Sequence, residues 1–337
     1  MAQRSLLQPS APASAAPGPA ILAKGFRPFF LLAALAQVLL MPVWVIALRG
    51  HLNLNAHFVA TYWHAHEMLF GFTLAVIAGF LLTAVGNWTS RETAVGPPLA
   101  ALVVLWLLGR VAIALAQFLP KPLVAALDLA FLPALAFACA RPIVLTDNRR
   151  NYQFLGMLGL LFLANLTMHL DAIGVWPGQV RRGAWLATWV VVTMIVVMTA
   201  RVVPMFTRNA TGLSTIRNVP WLDRAALASV ILVGVADVAG FDERLIGFAA
   251  PVAGLIVLGR AATWGGLSTL RLPILWILHV GHAFVGLGLA LRGLAAFVPL
   301  LSQSAALHAL TAGAIGCSTL GMMARVSLGH TGRMLAV

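Results

Sequence analysis

Apolar stretches long enough to cross a lipid bilayer recur along almost the whole chain. A helix of about 20 apolar residues crosses a hydrocarbon core about 30 Å thick. Such stretches follow one another here with only short polar or Pro- and Gly-containing interruptions. Only 9% of the residues are charged, against about 25% in an average soluble domain. This excludes a water-soluble fold and predicts an all-α, polytopic transmembrane helix bundle of about ten spans. We predict spans near residues 29–48, 64–86, 98–118, 122–140, 152–170, 183–203, 222–240, 244–263, 273–293 and 303–325.

The N-terminal segment lacks this pattern. Residues 1–20 are rich in Ala, Pro and Ser and contain no continuous apolar core of the kind that a cleaved signal peptide has. We therefore predict a disordered cytoplasmic tail over residues 1–24 and a transmembrane helical domain over residues 25–337.

The net charge of +13 is explained by membrane topology. The 22 Lys and Arg residues form no basic run, so we expect no nucleic-acid partner. Fifteen of them fall on the side of the membrane that holds the N-terminus and six on the opposite side. Because cytoplasmic loops are enriched in Lys and Arg, both termini are predicted in the cytoplasm. This count assigns Arg260 and Arg292 to loops and leaves Arg110 inside a span.

Two isolated cysteines, Cys139 and Cys317, limit the cofactor chemistry. Each stands alone in an apolar segment, which excludes a CxxCH haem attachment and a Cys-rich zinc or iron–sulfur site. We interpret both as small buried apolar residues. The motifs of common soluble enzymes are also missing from the sequence.

Histidines within the predicted spans carry the functional signal, because an ionisable group at membrane depth is costly unless it is paired, liganded or hydrated. His279 and His282 are three residues apart and so share one helix face. Neutral imidazole is a natural ligand for haem iron and copper, and His308 in the next span is a candidate partner on the opposite side. The alternative is that these histidines hydrogen-bond to carbonyl groups or to Ser and Thr side chains of other helices.

A second group, His64, His66 and Glu67, begins the second span. Two residues apart, the histidines would point to nearly opposite sides of a regular helix, so they converge only if the chain is irregular there. Glu67 could be a ligand, an acceptor that orients a histidine, or a proton carrier. The aromatic residues before them suit a position near the membrane surface, where an anchoring polar cluster is the alternative interpretation.

Other polar residues are open to two interpretations. Arg110 and Asp128 on neighbouring spans form a plausible buried ion pair, either structural or part of a proton path. His57, in the first external loop, is expected to be solvated. Arg201 and Arg333 could reach lipid headgroups or could hold haem propionates through bidentate hydrogen bonds.

Five motifs occur in order along the chain: GFRPFF at 25–30, WHAHEMLFG at 63–71, AGFLLTA at 78–84 with NWT at 87–89, RVVPMFT at 201–207, and the stretch from 308 to 333. Together they resemble the NnrS family. The resemblance implies a multi-pass protein of the bacterial inner membrane that contains haem and copper and is associated with nitric oxide metabolism and nitrosative stress. It emphasises the residues inside matching motifs, namely His64, His66, Glu67, Arg201, His308, His330 and Arg333. Family members continue beyond the final motif, so we expect the last spans of the family to be missing here.

The leading hypothesis is a haem and copper membrane protein that protects against nitric oxide by binding the gas, by converting it or by limiting its reaction with cellular iron, so whether it is an enzyme stays open. An uncharged gas partitions into the membrane and needs no polar tunnel. The metal ligands would come from His64, His66, Glu67, His279, His282, His308 and His330, arranged as two centres at different depths. The main alternative is a proton-coupled secondary transporter in which Glu67, the span histidines and carboxylates relay protons without a metal. A purely structural or accessory membrane subunit is the third.

Overall fold

The computed structural model describes residues 19–330, which form an all-α bundle. Ten long helices follow one another in this part of the chain. They are α1 (Phe26–Leu48), α2 (Ala60–Thr89), α3 (Pro97–Ala114), α4 (Lys121–Leu145), α5 (Arg149–Ala172), α6 (Val180–Thr211), α7 (Pro220–Ala239), α8 (Glu243–Ala262), α9 (Pro273–Leu294) and α10 (Gln303–His330). Each corresponds to one predicted span, so the predicted all-α bundle is confirmed.

Nine of these ten helices are long and apolar enough to cross a membrane, which makes the protein a multi-pass membrane protein. The exception is α7, which carries three charged residues, Asp223, Arg224 and Asp237. Short loops join consecutive helices, so the chain passes back and forth between two ends of the bundle. We call the end at which α1 begins the near end and the end at which α1 finishes the far end. Residues 1–18 of the predicted tail and Arg333 lie outside the described part of the chain.

The long helix α6 connects two packed halves of the bundle. Its Val190 and Val191 belong to a core shared with helices α1 to α5, whereas its Val192 and Val196 belong to a core shared with helices α7 to α10. Large apolar side chains on the outer faces of the helices, such as Phe137, remain exposed within the protein. Such a surface is suited to lipid.

Helices α2 and α10 each contain one wide, π-helical turn. The first spans Glu67–Thr73 and the second Ala309–Ile315, so each begins directly after a histidine, His66 or His308. Single π-helical segments inside α-helices are frequent at functional sites. The helix is therefore irregular directly after His66, close to where convergence of His64 and His66 would need it to be.

Two arginines that the charge count assigned to loops lie instead inside helices. Arg260 in α8 is 1% exposed and Arg292 in α9 is fully buried. Each lies in the last turn of its helix, so the count gave the correct end of the helix but treated a buried charge as a loop charge. Without them the count is fourteen basic residues against five.

Candidate metal centre

Three buried side chains from three helices converge near the far end of the bundle. They are His66 of α2, Asp128 of α4 and His169 of α5, and one ligand atom from each lies within 4.8 Å of the other two. The Asp128 Oδ2 atom is 2.9 Å from His169 Nε2 and 3.2 Å from His66 Nε2. Two imidazoles and a carboxylate form a ligand set that suits copper, zinc or non-haem iron.

Arg110 of α3 balances the negative charge of this cluster. Its guanidinium donates to Oδ1 of Asp128 and, at 2.6 Å, to Oε1 of Glu67. Both carboxylates are almost fully buried, and a buried carboxylate is strongly disfavoured unless it is paired and hydrogen-bonded. The predicted Arg110–Asp128 ion pair is thus confirmed, and Glu67 shares the same arginine.

Glu67 and Asn165 orient the His66 ring. The Nδ1 atom of His66 is 3.1 Å from Glu67 Oε1, and its Nε2 atom is 3.0 Å from Asn165 Oδ1. A carboxylate that accepts the Nδ1 proton fixes the tautomer and makes the other ring nitrogen a better metal ligand. Of the three roles considered for Glu67, the contacts fit that of an acceptor. A small cavity of about 10 Å³ beside Arg110, Asp128 and Asn165 leaves room for about one water.

His57 extends the cluster, contrary to the expectation that it is solvated. The loop between α1 and α2 folds inwards, leaving His57 only 5% exposed and its Nε2 atom 2.8 Å from His169 Nδ1. Burial, assisted by the neighbouring His169, lowers the pKa of His57 to about 3. The neutral ring can therefore hold His169 by a hydrogen bond.

His64 faces away from His66 and belongs to a different site. Its ring stacks on Trp44 of α1 with 4.6 Å between centroids, and the ring of His308 lies nearly parallel to it at 6.5 Å. The Nδ1 atom of His308 donates to the Ser304 carbonyl at 2.7 Å, and the buried Nδ1 atom of His64 has no hydrogen-bond partner within residues 19–330. The pairing of His64 with His66 in one site is therefore corrected.

His279 and His282 share a helix face, but His308 is not their partner. Gly288 of α9 lies against Leu310 of α10, which places His308 about 12 Å further along the bundle axis than His282. The actual contacts are hydrogen bonds to threonines of α6, from His279 Nε2 to Thr207 and from His282 Nδ1 to Thr199. These contacts match the alternative interpretation of interhelical hydrogen bonds.

The remaining predicted residues lie at the near end. Arg201 donates to Asn151 Oδ1 at 2.7 Å and to the Arg150 carbonyl at 3.1 Å. His330, at the exposed end of α10, has its ring 5.6 Å from that of Phe26. The structure therefore brings neither residue to His66 or to His308.

An apolar cavity of about 80 Å³ lies between α2, α6 and α10. Its lining includes Val76, Ile77, Met194, Met198, Leu278 and Met322. The volume accommodates a few molecules of the size of water. A small uncharged gas fits such a space.

Two further residues of this cluster could have been found from the sequence. Asn165 and His169 are four residues apart, so both fall on one face of an otherwise apolar helix, and polar residues on one face point towards a shared site. His57 gave no such signal because its position depends on how the loop folds.

Gly109 of α3 allows the close approach of Asp128. A Cβ atom at Gly109 would lie 2.7 Å from Asp128 Oδ1 and 3.1 Å from Asp128 Cα. We expect Gly109→Ala to push α3 and α4 apart and to lower the free energy of unfolding by about 1–3 kcal/mol. Thermal unfolding in detergent measures the change.

The matched control is Gly159→Ala on α5, where an added Cβ would meet nothing within 4 Å. Since alanine favours a helix over glycine, this variant should be neutral or stabilised by up to about 1 kcal/mol. Equal melting temperatures for the two variants would contradict the role given to Gly109.

Comparison with known proteins gives one match. The sequence model of a protein family described as "NnrS protein" matches residues 20–337. No curated protein and no solved structure matches the chain.

Proposed function

Because the chain belongs to the NnrS family, which makes it a membrane protein related to nitric oxide, we propose that it contains haem and copper and protects against this gas. Protection would come from binding nitric oxide or from limiting its reaction with cellular iron. The observation that carries the proposal is the buried cluster of His66, Asp128 and His169, whose ligand atoms lie within 4.8 Å of one another.

The cluster of His66, Asp128 and His169 suits copper better than the other histidine sites do. His66 and His169 would supply neutral imidazole nitrogens and Asp128 a carboxylate oxygen, a donor set that copper accepts. Glu67 and His57 contact the remaining nitrogens of the two rings, as expected for groups that orient metal ligands. A bound copper ion would supply a redox-active centre with affinity for nitric oxide.

Haem is assigned by this proposal to His64 and His308 rather than to His279 and His282. Both ring nitrogens of His282 already contact protein groups, Thr199 and Arg260. In contrast, His308 is exposed on the bundle surface, and its Nδ1–H is held by a carbonyl, which leaves its Nε2 free as an iron ligand. Arg201 lies at the near end of the bundle, so it could not reach the propionates of a haem held by His64 and His308 at the far end.

The membrane assigned by this proposal is the bacterial inner membrane, with both termini in the cytoplasm. The preference rests on the sequence count of fourteen basic residues on the predicted N-terminal side of the membrane against five on the other. The proposed copper centre and the His64–His308 pair then lie towards the periplasmic side.

A proton-coupled transporter remains the second candidate, and one observation favours it. Hydrogen-bond contacts run without interruption from His57 through His169, Asp128 and His66 to Glu67. Such a chain of titratable groups can relay protons in the absence of a metal. A proton relay predicts proton-coupled solute uptake by proteoliposomes that contain metal-free protein.

Metal removal tests the proposal. We expect the purified protein to contain copper and to show a haem absorption band, and we expect nitric oxide to change its optical spectrum. Protein depleted of copper should lose the copper-dependent part of this change and should regain it when copper is added back.

The same measurements can also contradict the proposal. Protein that is isolated with neither metal, takes up no copper and shows no spectral response to nitric oxide would refute the proposal. Proton-coupled uptake by the same preparation would favour the transporter.

A further inference from the structure

A buried arginine at the near side of the bundle is only partly satisfied by the groups around it. Arg260 of α8 is 1% exposed, yet among the described residues its guanidinium makes only two hydrogen-bond contacts. Both come from Nη2 at 3.2 Å, one to the Val196 carbonyl and one to His282 Nε2. Its Nε atom has no partner among residues 19–330. Burying a charge is costly unless the charge is paired and hydrogen-bonded.

The nearest carboxylate does not satisfy this arginine. Asp223 Oδ1 lies 3.8 Å from Arg260 Nη1, beyond hydrogen-bond distance, and has no hydrogen-bond partner within the described part of the chain. The other carboxylate oxygen of Asp223 faces Asn218 at 3.4 Å. Asp223 therefore supplies a distant negative charge but no acceptor.

Trp264 places a second unsatisfied donor in the same cluster. Its side chain is fully buried, and its indole Nε1–H has no partner in the described structure. The guanidinium of Arg260 lies 5.0 Å from the centre of the Trp264 ring, and the centre of the His282 ring lies 4.6 Å from it. An indole nitrogen is only a donor, and leaving a buried donor unpaired costs about 1–3 kcal/mol.

Two unfilled donors around a buried cation call for an acceptor with negative charge. We propose that Arg260 and Trp264 bind a small planar oxyanion, of the carboxylate, nitrite or nitrate type. The planar guanidinium still has N–H groups on Nε and Nη1 that can donate to such an anion. Its contact with His282 Nε2 makes that nitrogen an acceptor, so the imidazole is neutral and does not compete for the anion.

This site is distinct from the proposed metal centres. Arg260 is at the end of α8 that faces the near side, whereas His66, His169 and His308 lie towards the far side. The proposed oxyanion site therefore does not depend on whether the protein binds copper or haem. The oxyanion could be a free ion or the carboxylate of a larger bound molecule, and the experiment below separates the two.

Titration of the detergent-solubilised full chain tests for a free ion. Sodium nitrite, sodium nitrate and sodium acetate would be added separately in a chloride-free buffer while the heat of binding is recorded by isothermal titration calorimetry. We expect saturable binding by the wild type and binding weaker by about tenfold or more in Trp264→Phe, which removes the indole donor but keeps an aromatic side chain. Trp176→Phe is the control, because Trp176 is 51% exposed in the loop after α5.

Mass spectrometry of the purified protein tests for a larger molecule. Denaturation of the wild type would release a carboxylate-bearing compound that is reduced or missing in Trp264→Phe and Arg260→Gln. Melting temperatures show whether each variant is folded, and Trp264→Phe keeps an aromatic ring at the position that packs on Arg260.

Either positive result supports the proposal and identifies the source of the anion. The proposal is overturned if the folded wild type binds none of the three anions and releases no carboxylate compound. It is also overturned if Trp264→Phe behaves like the wild type in both experiments.

Discussion

Replacing Arg292 by methionine is expected to lower the free energy of unfolding by about 3–5 kcal/mol. Arg292 is fully buried, and its Nη2 atom donates to Asp237 Oδ1 at 2.5 Å. Asp237 is 6% exposed, and without the arginine it would keep only the hydrogen bond from Trp189 Nε1. The cost arises because an unpaired carboxylate would be left inside the bundle. Unfolding of the detergent-solubilised protein, followed by thermal or chemical denaturation, measures it.

The double variant Arg292→Met with Asp237→Asn separates charge from packing. Removing both charges should recover most of the lost stability, because the asparagine oxygen still accepts from Trp189. Glu243→Gln is the surface comparison. Glu243 also accepts from Arg292, but its side chain is 46% exposed, so we expect a change of at most about 1 kcal/mol. If the double variant were no more stable than Arg292→Met, the pair would not be the source of the loss.

The same ion pair explains how α7 remains within an apolar bundle. Of its two carboxylates, Asp237 pairs with Arg292 of α9, and Asp223 lies 3.8 Å from Arg260 of α8. Each carboxylate of α7 thus lies near an arginine of a neighbouring helix, Asp237 in a hydrogen-bonded ion pair and Asp223 beyond hydrogen-bond distance. Interhelical ion pairs of this kind allow a helix with three charged residues to pack among apolar ones.

The sequence predicted the helices well because their cause is local. About 20 consecutive apolar residues are needed in each span, and that requirement is visible in any one segment. The helix pattern also placed His279 and His282 on one face. It could not identify what that face contacts, since the partners Thr207 and Thr199 come from α6, more than 70 residues earlier in the chain.

The candidate metal centre was only partly predictable for the same reason. The sequence predicts His66 and Glu67 as site residues and Arg110 and Asp128 as an ion pair. That these residues meet His169 depends on how α2, α3, α4 and α5 pack together. The direction of His64 is set by a stack on Trp44. Contacts between helices far apart in sequence are fixed by tertiary packing, which periodicity does not encode.

The second large effect is expected in copper binding by variants of the proposed ligands. The proposed site has three ligand atoms within 4.8 Å of one another, two histidine nitrogens and one carboxylate oxygen. His66→Ala and His169→Ala each remove one of the nitrogens. We expect copper affinity to fall by more than about 100-fold in both, a larger loss than the 10–100-fold that follows loss of an orienting group. Titration with copper and metal analysis of the purified variants measure it.

Variants of the orienting residues and of a remote histidine provide the controls. Glu67→Gln and His57→Ala should each weaken copper binding by about 10–100-fold, because they hold the ligand rings without touching the metal. His51→Ala should bind copper like the wild type, since His51 is exposed in the same loop as His57. This order of effects distinguishes a metal centre from a simple hydrogen-bond network. Equal copper content in His66→Ala, His169→Ala and His51→Ala would show that copper, if bound, lies elsewhere in the protein.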